Sequence, residues 1–289
     1  MRQSEKFHNN GLIYLLFDVK SLKRGLLLMR LFDSHCHLDD RAFDKDLDDV
    51  ILRMHEAGVA SAMTIGTTLE RCVKGVDIAE STPGVYAAVG IHPHDAKSCD
   101  EDVLKTLMDL AGSPGVRAWG EIGLDFNRMF SPRDVQEKWL IRQLEISNIL
   151  NLPAIFHERD SNGRLIDILK AHFTGGRVGV VHCFSGSKDE LKAYLDLGLY
   201  IGITGIVTIK GRGADLRKMA PSIPMDRILI ETDAPYLTPT PERNHTQRNE
   251  PAFVRSVLFK LAEVRRQDPA FLSETLWENT CRLYNIAQS

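Results

Sequence analysis

The feature that most constrains this chain is an alternation of short, β-branched apolar runs with longer stretches of helical period. Strand-like runs fall at residues 31–35, 59–65, 85–91, 116–122, 152–157, 178–183, 199–203 and 227–232. Helix-like segments lie between them, among them 44–57, 69–81, 135–150 and 189–197. The two periodicities, 2 for strands and 3.6 for helices, separate these segments. Gly58, Gly84, Gly115 and Gly198 fall where helices should stop, as C-cap logic expects. Eight strands, each followed by helical sequence, predict an α/β fold of the (β/α)8 TIM-barrel type. Residues 30–285 match the roughly 250 residues typical of it. A doubly wound open sheet would carry a glycine fingerprint after its first strand. Here that place is taken by Asp33-Ser34-His35-Cys36-His37.

Residues 29–289 are expected to form one barrel domain. Residues 1–28 read as an extension of different character, and Met29, directly before the first strand, is a candidate start. Two apolar patches in that stretch are split by Lys20, Lys23 and Arg24, so neither reaches membrane-span length. No signal peptide is legible. The five cysteines are scattered, odd in number and never in a CxxC pair, which favours a reducing compartment. A cytoplasmic monomer is expected.

Polar residues concentrate at the predicted strand ends. His35 and His37 follow strand 1, and His92 and His94 follow strand 3. Glu121 and Asp125 end strand 4, His157 ends strand 5, and His182 ends strand 6. Glu231 and Asp233 end strand 8. In a (β/α)8 barrel these ends share one mouth, where catalytic groups sit. Imidazoles and carboxylates together suit divalent transition metals. His-x-His places both rings on one face of a strand. A carboxylate between two ions can bridge them. Any one of these residues, taken alone, is an ordinary satisfied polar group; the joint pattern is what points to a metal site. His8, His55, His172 and His245 stand outside it, with His55 and His172 read as helix-surface residues.

The same residues carry a resemblance to the TatD family of metal-dependent deoxyribonucleases, within the amidohydrolase superfamily. The motifs are FDSHCHLD, GIHPHD, GEIGLDFNR, FHERD, VHCFSG, GITG, ETDAPYL and RNEP. The resemblance spans about residues 30–286 and implies a divalent-metal hydrolase, typically a 3′–5′ exonuclease on DNA. It implies two ions held by His35, His37, Glu121, His157, His182 and Asp233. Glu121 would bridge, and Asp233 would act as general base toward the attacking water. Some members lack His-x-His, and this chain keeps it. Relatives that hydrolyse cyclic amides often bridge their ions with a carbamylated lysine, and Glu121 argues against that chemistry. Histidine-rich ligation leans toward Mn, Zn or Fe, but availability often decides, so Mg stays beside Mn and Zn.

The expected substrate contacts are His92, Asp125, Arg128, Arg159, Ser185 and Arg248, with Arg133, Lys210, Arg212 and Arg243 also near the mouth. Arginine suits phosphate oxygens. The Ser185-Gly186-Ser187 run could offer backbone N–H groups to an anion. The partner expected is DNA, as single strands or 3′ ends. A rival reading is a metal-dependent esterase such as a D-aminoacyl-tRNA deacylase; a non-catalytic binding barrel would be expected to have lost ligands. The 36 Lys+Arg against 39 Asp+Glu give a net charge of -3. That excludes a protein that coats long duplex and allows one that grips a strand end. The acids of residues 39–49 and 100–109 are expected on the outer surface.

Overall fold

The structure, a computed structural model, describes residues 29–173 and 175–287; the N-terminal extension expected at 1–28 lies outside the described residues. The strands are β1 Leu31–Cys36, β2 Val59–Ile65, β3 Val85–Val89, β4 Val116–Asp125, β5 Ala154–Arg159, β6 Gly179–Val181, β7 Tyr200–Ile203 and β8 Ile228–Ile230. They pair in parallel and in sequence order into one eight-stranded sheet. The helices are α1 Leu47–Glu56, α2 Leu69–Ser81, α3 Glu101–Leu110, α4 Arg133–Leu150, α5 Arg164–His172, α6 Lys188–Asp196, α7 Ala214–Met219, α8 Val254–Arg265 and α9 Pro269–Leu283. This is the expected (β/α)8 order. Gly58, Gly84 and Gly198 hold φ near +80° where helices end. Gly115 does not; it sits beyond α3 where a Cβ would crowd the Ala79 Cβ at 3.2 Å.

Two apolar layers build the molecule. One lies between the strands and the helix ring, where Met54, Leu104, Trp139, Leu144 and Leu258 meet outward strand residues. The other fills the barrel. Phe32, Met63, Ala88, Ala118, Ile155, Val180, Tyr200 and Leu229 contribute from the eight strands, and Cys281, Leu283 and Tyr284 at the end of α9 floor it. Burying each of the larger ones is worth about 1.5–3 kcal/mol, which pins strand register.

Counting from this interior layer shows how the strands aim polar residues at the mouth. His157, His182 and Glu231 lie two residues beyond interior Ile155, Val180 and Leu229, so simple alternation carries them; Asp233 lies past the end of β8, where its left-handed φ of 59° sets its direction. His35 lies three beyond Phe32, and Glu121 three beyond Ala118. Both strands solve this with a bulge. Asp33 pairs with Ala62 and Cys36 with Thr64, three residues against two. Trp119 pairs with Ala154 and Ile122 with Phe156, again three against two. An extra residue reverses the alternation and re-aims the side chain.

β1 and β8 meet without a strand ladder. The seam is tied by Asp233 N–H to His35 O (2.9 Å) and His37 N–H to Ala234 O (2.7 Å). The Asp33 carboxylate accepts from Thr232 N–H (2.8 Å) and Thr232 Oγ1 (2.5 Å). Ser34 Oγ donates to Ile230 O (2.9 Å), and Tyr284 donates its hydroxyl to Ser34 O (3.1 Å).

All five cysteines are free. Among the described residues no helix is long and apolar enough to cross a membrane. His55 and His172 are exposed on helices. Asp39 departs from the expected outer surface: it is buried and paired with Arg71, which also reaches Asp40.

Candidate metal centre

The structure brings His35, His37, Glu121, His157, His182 and Asp233 together at the C-terminal ends of the strands. Glu121, almost fully buried, is the hub. Its Oε1 lies 2.8 Å from His157 Nδ1, 3.2 Å from His182 Nε2 and 3.6 Å from His92 Nε2. Its Oε2 lies 3.5 Å from His35 Nε2. Asp233 Oδ1 stands across the site, 3.3 Å from His37 Nε2 and 3.8 Å from His35 Nε2. Asp233 takes a left-handed φ of 59°, which Asp tolerates better than most residues, and its N–H bond to His35 O holds it there.

Three imidazoles share one arrangement. His37 Nδ1 bonds Ile65 O at 2.8 Å, leaving Nε2 toward Asp233. His182 Nδ1 faces Glu231 at 3.2 Å, leaving Nε2 toward Glu121. His157 Nε2 faces Asp125 at 3.2 Å, leaving Nδ1 toward Glu121. An outer nitrogen facing an acceptor, hydrogen-bonded at His37 and His157 and in ion-pair range of Glu231 at His182, with the inner one turned to a shared centre, is how ligating histidines are oriented. His35 is fully buried with neither ring nitrogen hydrogen-bonded, its ring stacked 3.7 Å from that of His182. A buried imidazole without partners is costly, and a cation between His35, His37 and Glu121 would satisfy it. Those three, and Glu121 with His157 and His182, each have donor atoms close enough to hold one ion, with Glu121 common to both. The residues fit a divalent pair.

The electrostatics agree. Burial pushes the Glu121 carboxyl up, but the rings of His182, His92 and His35 and the bond from His157 outweigh it, holding it well below the usual range. Burial disfavours charge on His157, yet the hydrogen bonds to Asp125 and Glu121 win and lift it to about 9. His182 is raised the same way, burial being outweighed by Glu121 and Glu231. At His35 the balance falls the other way: burial and His182 outweigh the lifting effect of Glu121 and push it down. Protons on His157 and His182 thus balance the carboxylates in the positions where cations would.

Glu231 stands at the end of strand 8, but sequence reasoning assigns it no role. It accepts Cys183 N–H at 2.5 Å besides facing His182. Gly202 makes the room: a Cβ there would sit 2.5 Å from the Glu231 carboxylate. The interior alternation of β8 is the signal that could have found it.

The expected substrate contacts divide. Arg128 is exposed on the loop after β4, and Arg159 is exposed at the last position of β5. His92 is buried beside Glu121, and its Nδ1 accepts the His94 N–H (3.0 Å). A neutral ring so engaged carries its proton on Nε2, pointing into the site. This also argues against a third ion at the neighbouring His92, His94 and His157 group. Asp125 is fully buried: Oδ1 accepts Asn127 and Arg128 N–H, and Oδ2 faces His94 and His157. With both oxygens so engaged, it has no acceptor left for substrate. Arg248 is committed to Asp46, Glu250 and Ala42 O, over the ring of Phe43. Ser185 is exposed, but the start of α6 is already capped: Glu190 accepts Ser187 N–H (2.8 Å) and Ser187 Oγ accepts Glu190 N–H (3.2 Å). An anion there would compete with a carboxylate.

The family profile described as TatD related DNase matches residues 32–285. The chain is 40% identical over 260 residues to the 3′-5′ ssDNA/RNA exonuclease TatD of Rahnella sp., covering 89% of this chain and 99% of that one. It is 38% identical over 260 residues to the protein of that name from Escherichia coli K12, covering 89% and 100%. Among solved structures, YJJV, a TatD homolog from Escherichia coli K12, superposes with a TM-score of 0.83 at 31% identity, covering 90% of this chain and 99% of that one.

Proposed function

The chain belongs to the TatD-related DNase family, and from that premise we propose that it is a divalent-metal-dependent 3′–5′ exonuclease acting on single-stranded DNA and RNA ends. The observation that carries this reading is the convergence of His35, His37, His157, His182 and Asp233 on one buried carboxylate, Glu121.

His35 and His37 with Glu121 would hold one ion, and Glu121 with His157 and His182 the other. When bound, such ions acidify water and stabilise charge on phosphoryl oxygens. The chain's own groups do the rest. Asp233, partly open to solvent, takes the proton of the attacking water through its carboxylate. His92 donates Nε2–H to a phosphoryl oxygen. Arg128 and Arg159 hold flanking phosphates, a role in which a planar guanidinium is effective. Asp125 and Glu231 keep His157 and His182 turned inward.

The single barrel domain beginning at residue 29 acts, in this reading, as a cytoplasmic monomer. End-labelled single-stranded oligonucleotides, incubated with Mg, Mn or Zn and with chelator, test it. A metal-dependent ladder shortening from the 3′ end is expected. Cleavage of D-aminoacyl-tRNA but of no oligonucleotide would replace the nuclease reading with the esterase one.

A further inference from the structure

Phe130 stands 56% exposed on the loop after β4, its ring 4.8 Å from that of His94 at an interplanar angle of 73°. His94 in turn lies 5.9 Å from His157 and 4.3 Å from His92. Phe130 is therefore one ring removed from His92 and His157 at the candidate metal centre.

The loop that carries it is pinned. On one side Asp125 Oδ1 accepts the N–H groups of Asn127 (3.0 Å) and Arg128 (2.7 Å). On the other, buried Ser131 donates to His94 O (2.8 Å) and accepts Lys97 N–H (3.0 Å), while its own carbonyl accepts Gln136 Nε2 (2.8 Å). Met129 between them takes a left-handed φ of 53°. A solitary exposed apolar side chain is ordinary on a protein surface. A rigidly presented one, with Arg128 exposed on the same loop and Arg159 exposed at the end of β5, has the makings of a single-strand site, where cations track the backbone and aromatic faces take the bases.

We propose that Phe130 is a stacking platform for the nucleobase beside the scissile phosphodiester, and that it selects strands whose bases are unpaired. This rests on the nuclease reading above. A base inside a duplex has both faces covered and cannot use the ring, and a terminal one must leave its pair to follow its strand into the site. Stacking is indifferent to base identity because every base has a π-face, so the platform discriminates strandedness and not sequence.

The test compares wild type, Phe130→Leu and Phe130→Trp, each metal-loaded and full length, on two single strands. One ends in ordinary nucleotides, the other in abasic sugars. Phe130→Leu keeps apolar bulk and loses the ring face. It should raise KM on base-bearing ends by about tenfold to a hundredfold, leave abasic ends unchanged, and be rescued by Phe130→Trp. Equal loss on both ends, or wild-type behaviour on base-bearing ends, overturns the proposal. Binding of the same two strands in phosphorothioate form is measured alongside. A protein that cleaves neither strand, yet binds the base-bearing one more weakly after Phe130→Leu, sinks the nuclease reading and sustains the platform. Absence of any preference for base-bearing strands in the wild type removes it.

Discussion

Asp125 Oδ2 lies 3.2 Å from His157 Nε2, on the far side of the imidazole from Glu121. The ring is gripped by two carboxylates, one facing the centre and one behind it. Replacing Asp125 with Asn keeps the Oδ1 acceptor for Asn127 and Arg128 but removes the charge behind His157. Divalent-ion affinity should fall about 10–100-fold, the usual cost of losing such support. Calorimetric titration of the metal reads this directly.

The proton on His157 competes with the cation. With its value lifted from 6.5 to about 9, the metal-free protein keeps that proton across the neutral range. Metal affinity should therefore fall as pH drops below about 9, and binding near neutrality should release protons. Calorimetry in buffers of different ionisation heat counts them. The linkage to folding has the opposite slope in the metal-free protein. The stability His157 contributes is fully present below about 6.5 and is lost as pH rises through about 9.

Asp233 and Glu121 separate chemistry from binding. Asp233→Asn should abolish cleavage with the barrel intact, and Glu121→Ala should abolish both cleavage and tight metal binding. Circular dichroism, metal titration and the oligonucleotide assay distinguish the two. Wild-type turnover in metal-loaded Asp233→Asn would remove that residue from the mechanism.

Gly202→Ala places a methyl against the Glu231 carboxylate. The carboxylate must leave His182 and the Cys183 N–H. Weaker metal binding is expected, of the same order as in Asp125→Asn, from a residue that touches no ligand. Unchanged affinity would show that Glu231 does not orient His182.

Arg248 and the rim arginines should respond in opposite ways. Arg248→Ala cuts the pairs with Asp46 and Glu250 and should cost roughly 1–3 kcal/mol of stability with KM unchanged. Arg128→Ala and Arg159→Ala should leave the melting temperature in place, raise KM on oligonucleotides and flatten its salt dependence. Thermal melts and kinetics at two ionic strengths decide.

The strand order and the convergence of six polar residues on one mouth were legible in the sequence because barrel strands are apolar runs of fixed period and their polar ends stand out. Two things were hidden. The bulges at residues 33–36 and 119–122, which re-aim His35 and Glu121 into the barrel mouth, leave no mark in the apolar pattern. Side-chain commitment was also invisible. Arg248 reads as a phosphate ligand until Asp46, some 200 residues earlier, is seen beside it, and Asp125 reads as a rim carboxylate until His157 and His94 are found occupying it.

The unladdered seam has a consequence for biosynthesis. His35 and His37 leave the ribosome early and Asp233 late, yet the backbone bond that brings them together joins His35 O to Asp233 N. A nascent chain translated through β7 carries His35, His37, Glu121, His157 and His182 but not Asp233, the residue proposed above to take the proton. On the proposed mechanism, catalytic competence arrives only when β8 closes against β1, and an unfinished or prematurely terminated copy is expected to be inert toward nucleic acid.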